Sequence, residues 1–455
     1  MTVPEGTMAR FGSVRRRHIW SIVQRGPTEV GYAYFRARRR RRNLADDESL
    51  LSESDQLALS GAFDLTEDVL AANARLIERY QRAAPFQVDS IQWFLPYFRH
   101  AYFGGVHTLL RFAEHFARAH DVENRFHCYD VAPGAVAGMA SRVAGAFPSL
   151  AAATFTSSAC SLEELPPCDA AIATLWSSAY PVMHLRRARS KLYFVQDNEP
   201  QFYPAGAASA LAEATYRFGL PGIVNTPGLA DLYRSYDNPA VSFVPAVDLD
   251  RYHPPPAPRA PGEPLRVFFY ARPGSPRNAF GLGIAALTKL KRTYRERVEI
   301  VCAGETWNPG QLGLHGQIRN LGVLSSLDEV AALYRSCDIG LVFMHTKHPS
   351  YQPLEFMASG MATVSNVNPA TQWLMRDGEN CLLTPPLPSA TAERLGRLVE
   401  DAELRARIAA AGLVQVRRFG WEEQIERVWR AICRQDESFA LPPLTAPLRS
   451  AAPRG

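Results

Sequence analysis

The sequence has no long apolar run and few cysteines. No stretch of about 18 consecutive apolar residues occurs, and a membrane-spanning helix needs about that length. The first residues also lack the apolar core and small-residue cleavage site of a secretory signal. Seven cysteines are scattered without a Cys-x-x-Cys pair, which favours a reducing compartment and argues against a zinc cage. We therefore expect a cytoplasmic protein, either free or peripheral on the inner face of the cell membrane.

A dinucleotide-binding fingerprint is also absent. No Gly-x-Gly-x-x-Gly follows the first strand of either half of the chain with an acidic residue about 20 positions later. An NAD-dependent enzyme is therefore disfavoured. The chain has 455 residues, of which 47% are apolar, and this length exceeds what one hydrophobic core usually serves. We expect two domains and an extension.

Positive charge is concentrated near the N-terminus. Residues 1–50 contain eleven arginines and five acidic residues, a net charge of +6, whereas the whole chain carries +5. Two interpretations of the arginine-rich run at residues 35–42 stay open. It is either a solvated arm that packs its aromatic residues on the body, or a segment that contacts anionic lipid headgroups, with roughly 1 kcal/mol from each basic residue. Nucleic acid is not expected as a partner, because no nucleic-acid-binding fold accompanies the arginines.

From Ser90 onward, buried strands alternate with amphipathic helices, which predicts an α/β fold. A proline-rich linker then interrupts the pattern, and the alternation restarts at Leu265. The predicted segments are a basic extension (1–86), an N-terminal Rossmann-like acceptor domain (87–253), the linker (254–264), a C-terminal Rossmann-like nucleotide-sugar donor domain (265–437) and a tail (438–455). Open α/β sheets bind ligands at the carboxyl ends of their strands. We therefore expect a cleft between the two domains.

The most informative motif is HPSYQPLEFMASG at residues 348–360. Its proline sets the backbone for the first turn of a helix. The backbone N–H groups of Ser350, Tyr351 and Gln352 would then face an anion such as a phosphate. Glu355 lies one turn further on, and its carboxylate is a pure acceptor suited to sugar hydroxyls. The combination indicates a nucleotide-sugar site.

This motif resembles the C-terminal signature of the retaining glycosyltransferases of family 4, and the closer likeness is to their WsaF-like rhamnosyltransferase subgroup. The hallmarks of that subgroup also appear in residues 193–200 and 212–217. Lys347 stands where the family usually has a first glutamate. The resemblance implies a GT-B fold of two facing Rossmann-like domains. It also implies retaining transfer of L-rhamnose from dTDP-L-rhamnose to a growing cell-surface glycan, with no cofactor.

Further donor-binding residues are predicted at the carboxyl ends of the sheets. Gly104 and Gly105 follow the first strand, where the missing side chains let backbone amides approach a phosphate. Val323 and Leu324 lie in a loop whose backbone groups could contact a pyrimidine base. Lys347 is either a third cation for the diphosphate or simply exposed.

Three residues are predicted to act in catalysis. Arg272 and Arg277 follow the first strand of the second domain and correspond to the basic pair of the family. Fixed cations there stabilise a diphosphate leaving group as its charge grows. Asp197 ends a strand of the first domain, where it would orient the acceptor or stabilise the positively charged transition state. Asp248 and Asp250 form an Asp-x-Asp pattern that is expected to be structural, and no metal ligands are predicted.

Acceptor-binding residues are predicted along the same edge of the first domain. Glu199 is expected to project into the cleft, Phe202 to stack on a sugar face, and His107 either to bind substrate hydroxyls or to cap a helix. The expected partners are a nucleotide-sugar donor and a glycan or lipid-linked glycan acceptor. Two other functions stay open: a nonenzymatic GT-B protein that binds glycan or scaffolds a synthesis complex, and a sugar-nucleotide epimerase.

Overall fold

The computed structural model describes residue 57 and residues 59–102, 104–257, 259–260, 262–346 and 350–439. The arginine-rich run at residues 35–42 lies outside the described residues, as do Lys347 and His348. Within the described part of the chain, no helix combines the length and the apolar character that crossing a membrane requires.

Seven parallel strands form the sheet of the first domain. They are β1 (Ser90–Leu95), β2 (Glu123–Cys128), β3 (Thr154–Ser157), β4 (Cys168–Ala173), β5 (Ala188–Val195), β6 (Gly222–Asn225) and β7 (Ala240–Phe243). Their order is β3-β2-β1-β4-β5-β6-β7, and Ile91 of β1 lies opposite Asn124 on one side and Ala170 on the other. The strand order reverses between β1 and β4. Open sheets of this kind bind ligands at that switch point.

Helices cover both faces of this sheet. They are α1 (Glu67–Gln81), α2 (Gly104–His120), α3 (Pro133–Ala146), α4 (Trp176–His184), α5 (Ala207–Ala214) and α6 (Pro227–Arg234). Helix α2 buries Leu109, Phe112 and Phe116, whose spacing places them on one face of the helix. Helix α2 begins at Gly104, so the two predicted glycines, Gly104 and Gly105, form the first turn of the helix.

Helix α1 connects part of the predicted N-terminal extension to the first domain. The amine of Lys191 in β5 is buried and donates to Asn73 Oδ1 of α1 at 2.6 Å and to the Met183 carbonyl at 2.9 Å. Burial lowers the pKa of this amine to about 8, since a low-dielectric environment disfavours the charged form. The described residues of the extension therefore pack on the body.

Six parallel strands form the second sheet, with the order β10-β9-β8-β11-β12-β13. The strands are β8 (Leu265–Ala271), β9 (Val298–Gly304), β10 (Arg319–Asn320), β11 (Ile339–Val342), β12 (Ala362–Asn366) and β13 (Leu382–Thr384). The helices around them are α7 (Phe280–Tyr294), α8 (Leu327–Arg335), α9 (Gln352–Ala358), α10 (Pro388–Glu400) and α11 (Ala402–Val416). Val267 and Phe269 join the core on one face of β8, and Phe268 joins the core on the other. Successive side chains of a strand alternate in this way when both faces are covered.

The last helix, α12 (Trp421–Ile432), follows the second domain in sequence but packs on the first. Its buried residues Ile425 and Val428 belong to the core that surrounds β1 and α2. Gln424 Oε1 also accepts a hydrogen bond of 2.9 Å from the Val244 N–H group. The first domain is therefore discontinuous in sequence, whereas the predicted boundary at residue 437 assigns α12 to the second domain.

Candidate active site

The carboxyl ends of the two sheets face each other across a cleft. The Thr108 hydroxyl on α2 and the Tyr351 hydroxyl before α9 form a hydrogen bond from one wall to the other. The Tyr102 hydroxyl donates to the Ser325 carbonyl at 3.3 Å and forms a second bridge. The loops after β1 of the first domain and those leading to α8 and α9 of the second therefore line a common space.

Arg277 connects the two walls at the predicted catalytic position. It lies in the single turn Pro276–Asn278 after β8, and its Nη1 donates to Asp197 Oδ2 of the first domain. The guanidinium carbon lies 4.6 Å from the centre of the Phe202 ring. Both side chains of the ion pair are partly buried, with 33% of Arg277 and 14% of Asp197 exposed. The structure thus brings together three predicted residues from two domains.

Arg272 is oriented by an acidic residue that the sequence interpretation missed. Its Nε lies 3.3 Å from Glu305 Oε1, and the other Glu305 oxygen accepts a hydrogen bond of 2.8 Å from the Gly274 N–H group. Gly304 allows this packing, since its φ is +127° and an added Cβ would lie 2.9 Å from Arg272 Cγ. The available signal was an acid directly after a buried strand, the pattern that indicated Asp197.

The two predicted glycines have different surroundings. A Cβ added to Gly104 would meet no atom within 4 Å, so the space beside it is open. A Cβ added to Gly105 would lie 3.0 Å from Gln196 Nε2, which donates to the Gly105 carbonyl at 3.0 Å. Gly105 therefore lets the helix approach the end of β5, and Gly104 leaves room for a ligand beside the backbone.

The N-terminus of α9 faces the cleft. No described residue accepts a hydrogen bond from the backbone N–H of Ser350, Tyr351 or Gln352. The Gln352 side-chain oxygen is buried and also has no partner among the described residues. The Tyr351 hydroxyl forms a hydrogen bond with the Thr108 hydroxyl, and burial raises the pKa of Tyr351 to about 12. These amides could bind an anion, while the Tyr351 ring bridges the domains.

Glu355 lies one turn into α9, near tyrosines from two separate segments of the chain. Burial raises the pKa of its carboxyl to about 7, although the hydroxyl groups of Tyr252 and Tyr334 oppose this rise. Tyr252 belongs to the segment that leaves the first domain, and Tyr334 belongs to α8. The carboxyl group that was predicted to bind sugar hydroxyls thus lies near the hydroxyl groups of two tyrosines, which favour its charged form.

The predicted base-binding loop lies next to Arg272. The Gly322 carbonyl accepts a hydrogen bond of 2.8 Å from the Gly304 N–H group, at the turn that packs on Arg272. Val323 follows with 60% of its surface exposed, and Leu324 packs on the core beside β8. The exposed part of this loop is available to a ligand at the edge of the cleft.

His107 lies on the first turn of α2 and contacts first-domain residues. Its Nε2 is 3.2 Å from Arg111 Nη2, and its ring centre is 5.2 Å from that of Phe147. Burial, followed by repulsion from Arg111, lowers its pKa to about 4. His107 is therefore a neutral imidazole near neutral pH.

The prediction that Glu199 projects into the cleft is wrong. Only 2% of the residue is exposed, and Oε2 accepts hydrogen bonds from the Trp176 N–H group and, at 2.8 Å, from the Tyr193 hydroxyl. Burial raises the pKa of this carboxyl to about 8. The chain turns into the protein interior after Asp197. Glu199 therefore accepts from the first N–H group of α4 and does not reach an acceptor in the cleft.

Asp130 is a second acidic residue that sequence reasoning missed. It lies just after β2 and is 6% exposed. Its Oδ1 accepts a hydrogen bond of 2.9 Å from the Tyr97 N–H group after β1. Burial raises its pKa to about 8, which favours the protonated form near neutral pH. It holds the loop after β1 in place.

A family comparison identifies the domain that carries the arginines. Residues 265–396 match the model of the WsaF C-terminal domain. The second domain is therefore similar to the WsaF C-terminal domain over these residues, and we refer to it as the WsaF-type domain. It supplies Arg272, Arg277, Glu305 and Glu355 to the cleft. The resemblance to family 4 glycosyltransferases of the WsaF type is confirmed.

Similarity to curated proteins extends beyond the WsaF-type domain. The chain is 45% identical over 351 residues to the O-antigen biosynthesis protein RfbC of Myxococcus xanthus, which covers 76% of this chain and 27% of RfbC. It is 29% identical over 234 residues to the phosphatidyl-myo-inositol mannosyltransferase of Mycobacterium tuberculosis, which covers 46% of this chain and 60% of that protein. The chain thus spans about a quarter of RfbC and less than two thirds of the mannosyltransferase.

Two solved structures share the whole two-domain architecture. The structure of Anabaena HepE in complex with UDP and glucose aligns with a TM-score of 0.56 and 14% identity, covering 76% of this chain and 99% of that one. Sucrose-phosphate synthase from Thermosynechococcus elongatus aligns with a TM-score of 0.55 and 13% identity, covering 76% and 98%. These likenesses confirm the predicted GT-B fold of two Rossmann-like domains.

Proposed function

We propose that this chain is a glycosyltransferase that transfers a sugar from a nucleoside diphosphate to a surface glycan. The observation that carries the proposal is the position of Arg272 and Arg277 at the carboxyl end of β8, opposite Asp197 of the other domain. RfbC is named as an O-antigen biosynthesis protein, and HepE is described in complex with UDP and glucose. The first name supports a glycan product, and the second supports a nucleotide-sugar donor.

In the proposed reaction, the bond between the anomeric carbon and the donor phosphate oxygen breaks while the acceptor oxygen bonds to that carbon. Negative charge develops on the diphosphate, where Arg272 and Arg277 stabilise it. Such fixed charges lower the barrier because they need no reorganisation. The acceptor enters on the face that the leaving group departs from, and its proton passes to a phosphate oxygen. The anomeric configuration is therefore retained, and Asp197 stabilises the positive charge on the sugar.

The proposed donor is dTDP-L-rhamnose, because the motif at residues 348–360 is most similar to that of the rhamnosyltransferase subgroup. The backbone amides at the start of α9, which have no partner among the described residues, would bind the diphosphate, and the loop at Val323 and Leu324 would contact the base. The arginines, not a cofactor, supply the positive charge. Transfer rates measured with and without added Mg²⁺ or Mn²⁺ should therefore agree.

A panel of dTDP-, UDP-, GDP- and ADP-sugars tests the donor assignment. A ligand at a hundredfold excess over its Kd stabilises the folded state by about 2.7 kcal/mol, which a thermal unfolding scan detects. A shift with guanosine donors alone would refute the rhamnose assignment. A transfer assay then separates the alternatives. Binding without turnover supports a nonenzymatic protein, and conversion of the donor without any acceptor supports an epimerase.

The proposed acceptor is a glycan or a lipid-linked glycan, and the arginine-rich run at residues 35–42 is proposed to bring the protein to the membrane that holds it. Cosedimentation with vesicles that contain phosphatidylglycerol checks this contact. Replacing the arginines of the run by glutamine should abolish vesicle binding. Unchanged vesicle binding would refute the lipid contact of this run and favour the interpretation as a solvated arm.

A further inference from the structure

A cluster of two histidines and one glutamate lies where α2 ends against α12. His115 Nε2 and His120 Nε2 lie 2.5 Å and 2.8 Å from the same atom, Glu426 Oε1. One ligand atom from each residue lies within 4.8 Å of the other two. Helix α2 begins in the cleft and ends at this cluster, and its 17 residues span roughly 25 Å. The cluster is therefore separate from the candidate active site.

Packing fixes the direction of these side chains. The His120 ring stacks on Trp429, with ring centres 4.2 Å apart and planes 15° apart. Trp429 lies three residues after Glu426, so both side chains share a face of α12. His115 is 9% exposed, and its ring centre lies 6.1 Å from that of His120. Rigid supports of this kind orient ligands before a metal arrives.

Solvent can reach the cluster from one side. An open groove of about 460 Å³ runs beside it, and His120, Trp429, Cys433 and Gln435 form part of its lining. The side-chain exposure of His120 is 23%, and that of Glu426 is 35%. A hydrated cation therefore has an entry path, which a functional metal site requires.

We propose that His115, His120 and Glu426 bind a divalent cation of the zinc class. Two imidazole nitrogens and one carboxylate oxygen form a recognised zinc ligand set, with water in the fourth position. Tetrahedral ligands about 2.0–2.1 Å from zinc lie about 3.3 Å from one another. The present spacings of 2.5 Å and 2.8 Å need to widen by under about 1 Å, which side-chain rotation provides. Each neutral imidazole would then carry its proton on Nδ1 and offer Nε2 to the cation, so that the cation takes the place of the two contacts with Glu426.

The consequence is a metal link between two distant parts of the chain. Helix α2 carries the glycines and Thr108 of the cleft, and α12 comes after the WsaF-type domain. A bound cation would hold the returning helix on the first domain. This inference does not depend on the proposed transfer reaction, so failure of either leaves the other standing.

Equilibrium dialysis of the full-length, untagged, chelator-stripped protein against Zn²⁺, followed by elemental analysis, tests the site. One zinc per chain is expected. Glu426→Gln and His120→Gln should each weaken the affinity at least tenfold. His315→Gln is the matched control, because His315 is an exposed histidine of the second domain. Substituted Co²⁺ should show the visible absorption of a tetrahedral site, and both cluster variants should lose it.

Two results would overturn the proposal. One is the absence of zinc binding above that of buffer in the unsubstituted protein. The other is unchanged zinc affinity and cobalt absorption in both cluster variants, which would place the cation elsewhere, for example on cysteines. Circular dichroism verifies that the variants are folded. Glu426→Asp keeps the carboxylate and should bind more tightly than Glu426→Gln, which separates ligation from a merely structural effect.

Discussion

Replacing Arg277 by glutamine should lower kcat about 100- to 1000-fold. Removing one fixed donor from a site where negative charge develops costs about 2.7–4 kcal/mol, and the structure gives Arg277 that position. Its guanidinium is held by Asp197 and lies 4.6 Å from the centre of the Phe202 ring. Stability should fall less, by about 1–3 kcal/mol, because a third of the Arg277 side chain is exposed. Steady-state transfer kinetics and urea unfolding measure the two effects.

Arg266 provides a matched control on the same strand. Arg266 lies at the N-terminal end of β8, whereas Arg277 follows the C-terminal end. The Arg266 side chain is 32% exposed, and its Nε lies 2.7 Å from a carboxylate oxygen of Glu299. Arg266→Gln removes a comparable ion pair at the amino ends of the strands, away from the cleft, so kcat should change less than twofold. Arg277→Lys keeps the charge but loses the planar guanidinium, so its kcat should lie between those of Arg277→Gln and Arg266→Gln. A kcat for Arg277→Gln within threefold of the unsubstituted protein would refute the assignment.

Three further predictions concern neighbouring residues. Glu305→Gln should lower kcat about tenfold with little change in KM, because Arg272 loses the charge that orients it, and steady-state kinetics measure this. Gly304→Ala should cost about 1–3 kcal/mol of stability and also reduce kcat, because the added Cβ lies 2.9 Å from Arg272 Cγ; unchanged urea unfolding would contradict it. Glu355 has a folded-state pKa of about 7 against an ordinary 4.5, so its contribution to stability falls by up to about 3 kcal/mol as pH rises from about 4.5 to 7. Glu355→Gln should reduce this dependence of stability on pH. The measurement is the free energy of unfolding at pH 5 and at pH 7.5. An equal difference between the two pH values in the variant and in the unsubstituted protein would contradict this prediction.

The alternation of strands and helices was predictable because each element carries its own pattern. The apolar run that begins at Leu265 predicts β8, and the amphipathic spacing from Trp421 to Ile432 predicts a helix with the bounds of α12. We interpreted that spacing as packing across the two domains, but amphipathicity does not specify which core the apolar face joins. The helix joins the core around β1, more than 300 residues earlier in the chain.

The candidate site was predictable where a residue directly follows a strand. Asp197 and the two arginines lie in the cleft because parallel strands end at one edge of the sheet. Glu199 is only two residues beyond Asp197, yet it points inward because the Trp176 N–H group needs an acceptor. The pairing of Glu305 with Arg272 was equally hidden, because the two residues are neighbours only through the register of β8 and β9.

The return of α12 to the first domain affects the order of folding during synthesis. The sheet of that domain ends at Phe243, but its core is complete only when Ile425 and Val428 have been made. At about 5–20 residues per second, the ribosome needs roughly 10–40 s for this interval. During that time the apolar surface beneath α12 is uncovered, so we expect the nascent first domain to be exposed to aggregation or chaperone binding until α12 has been made.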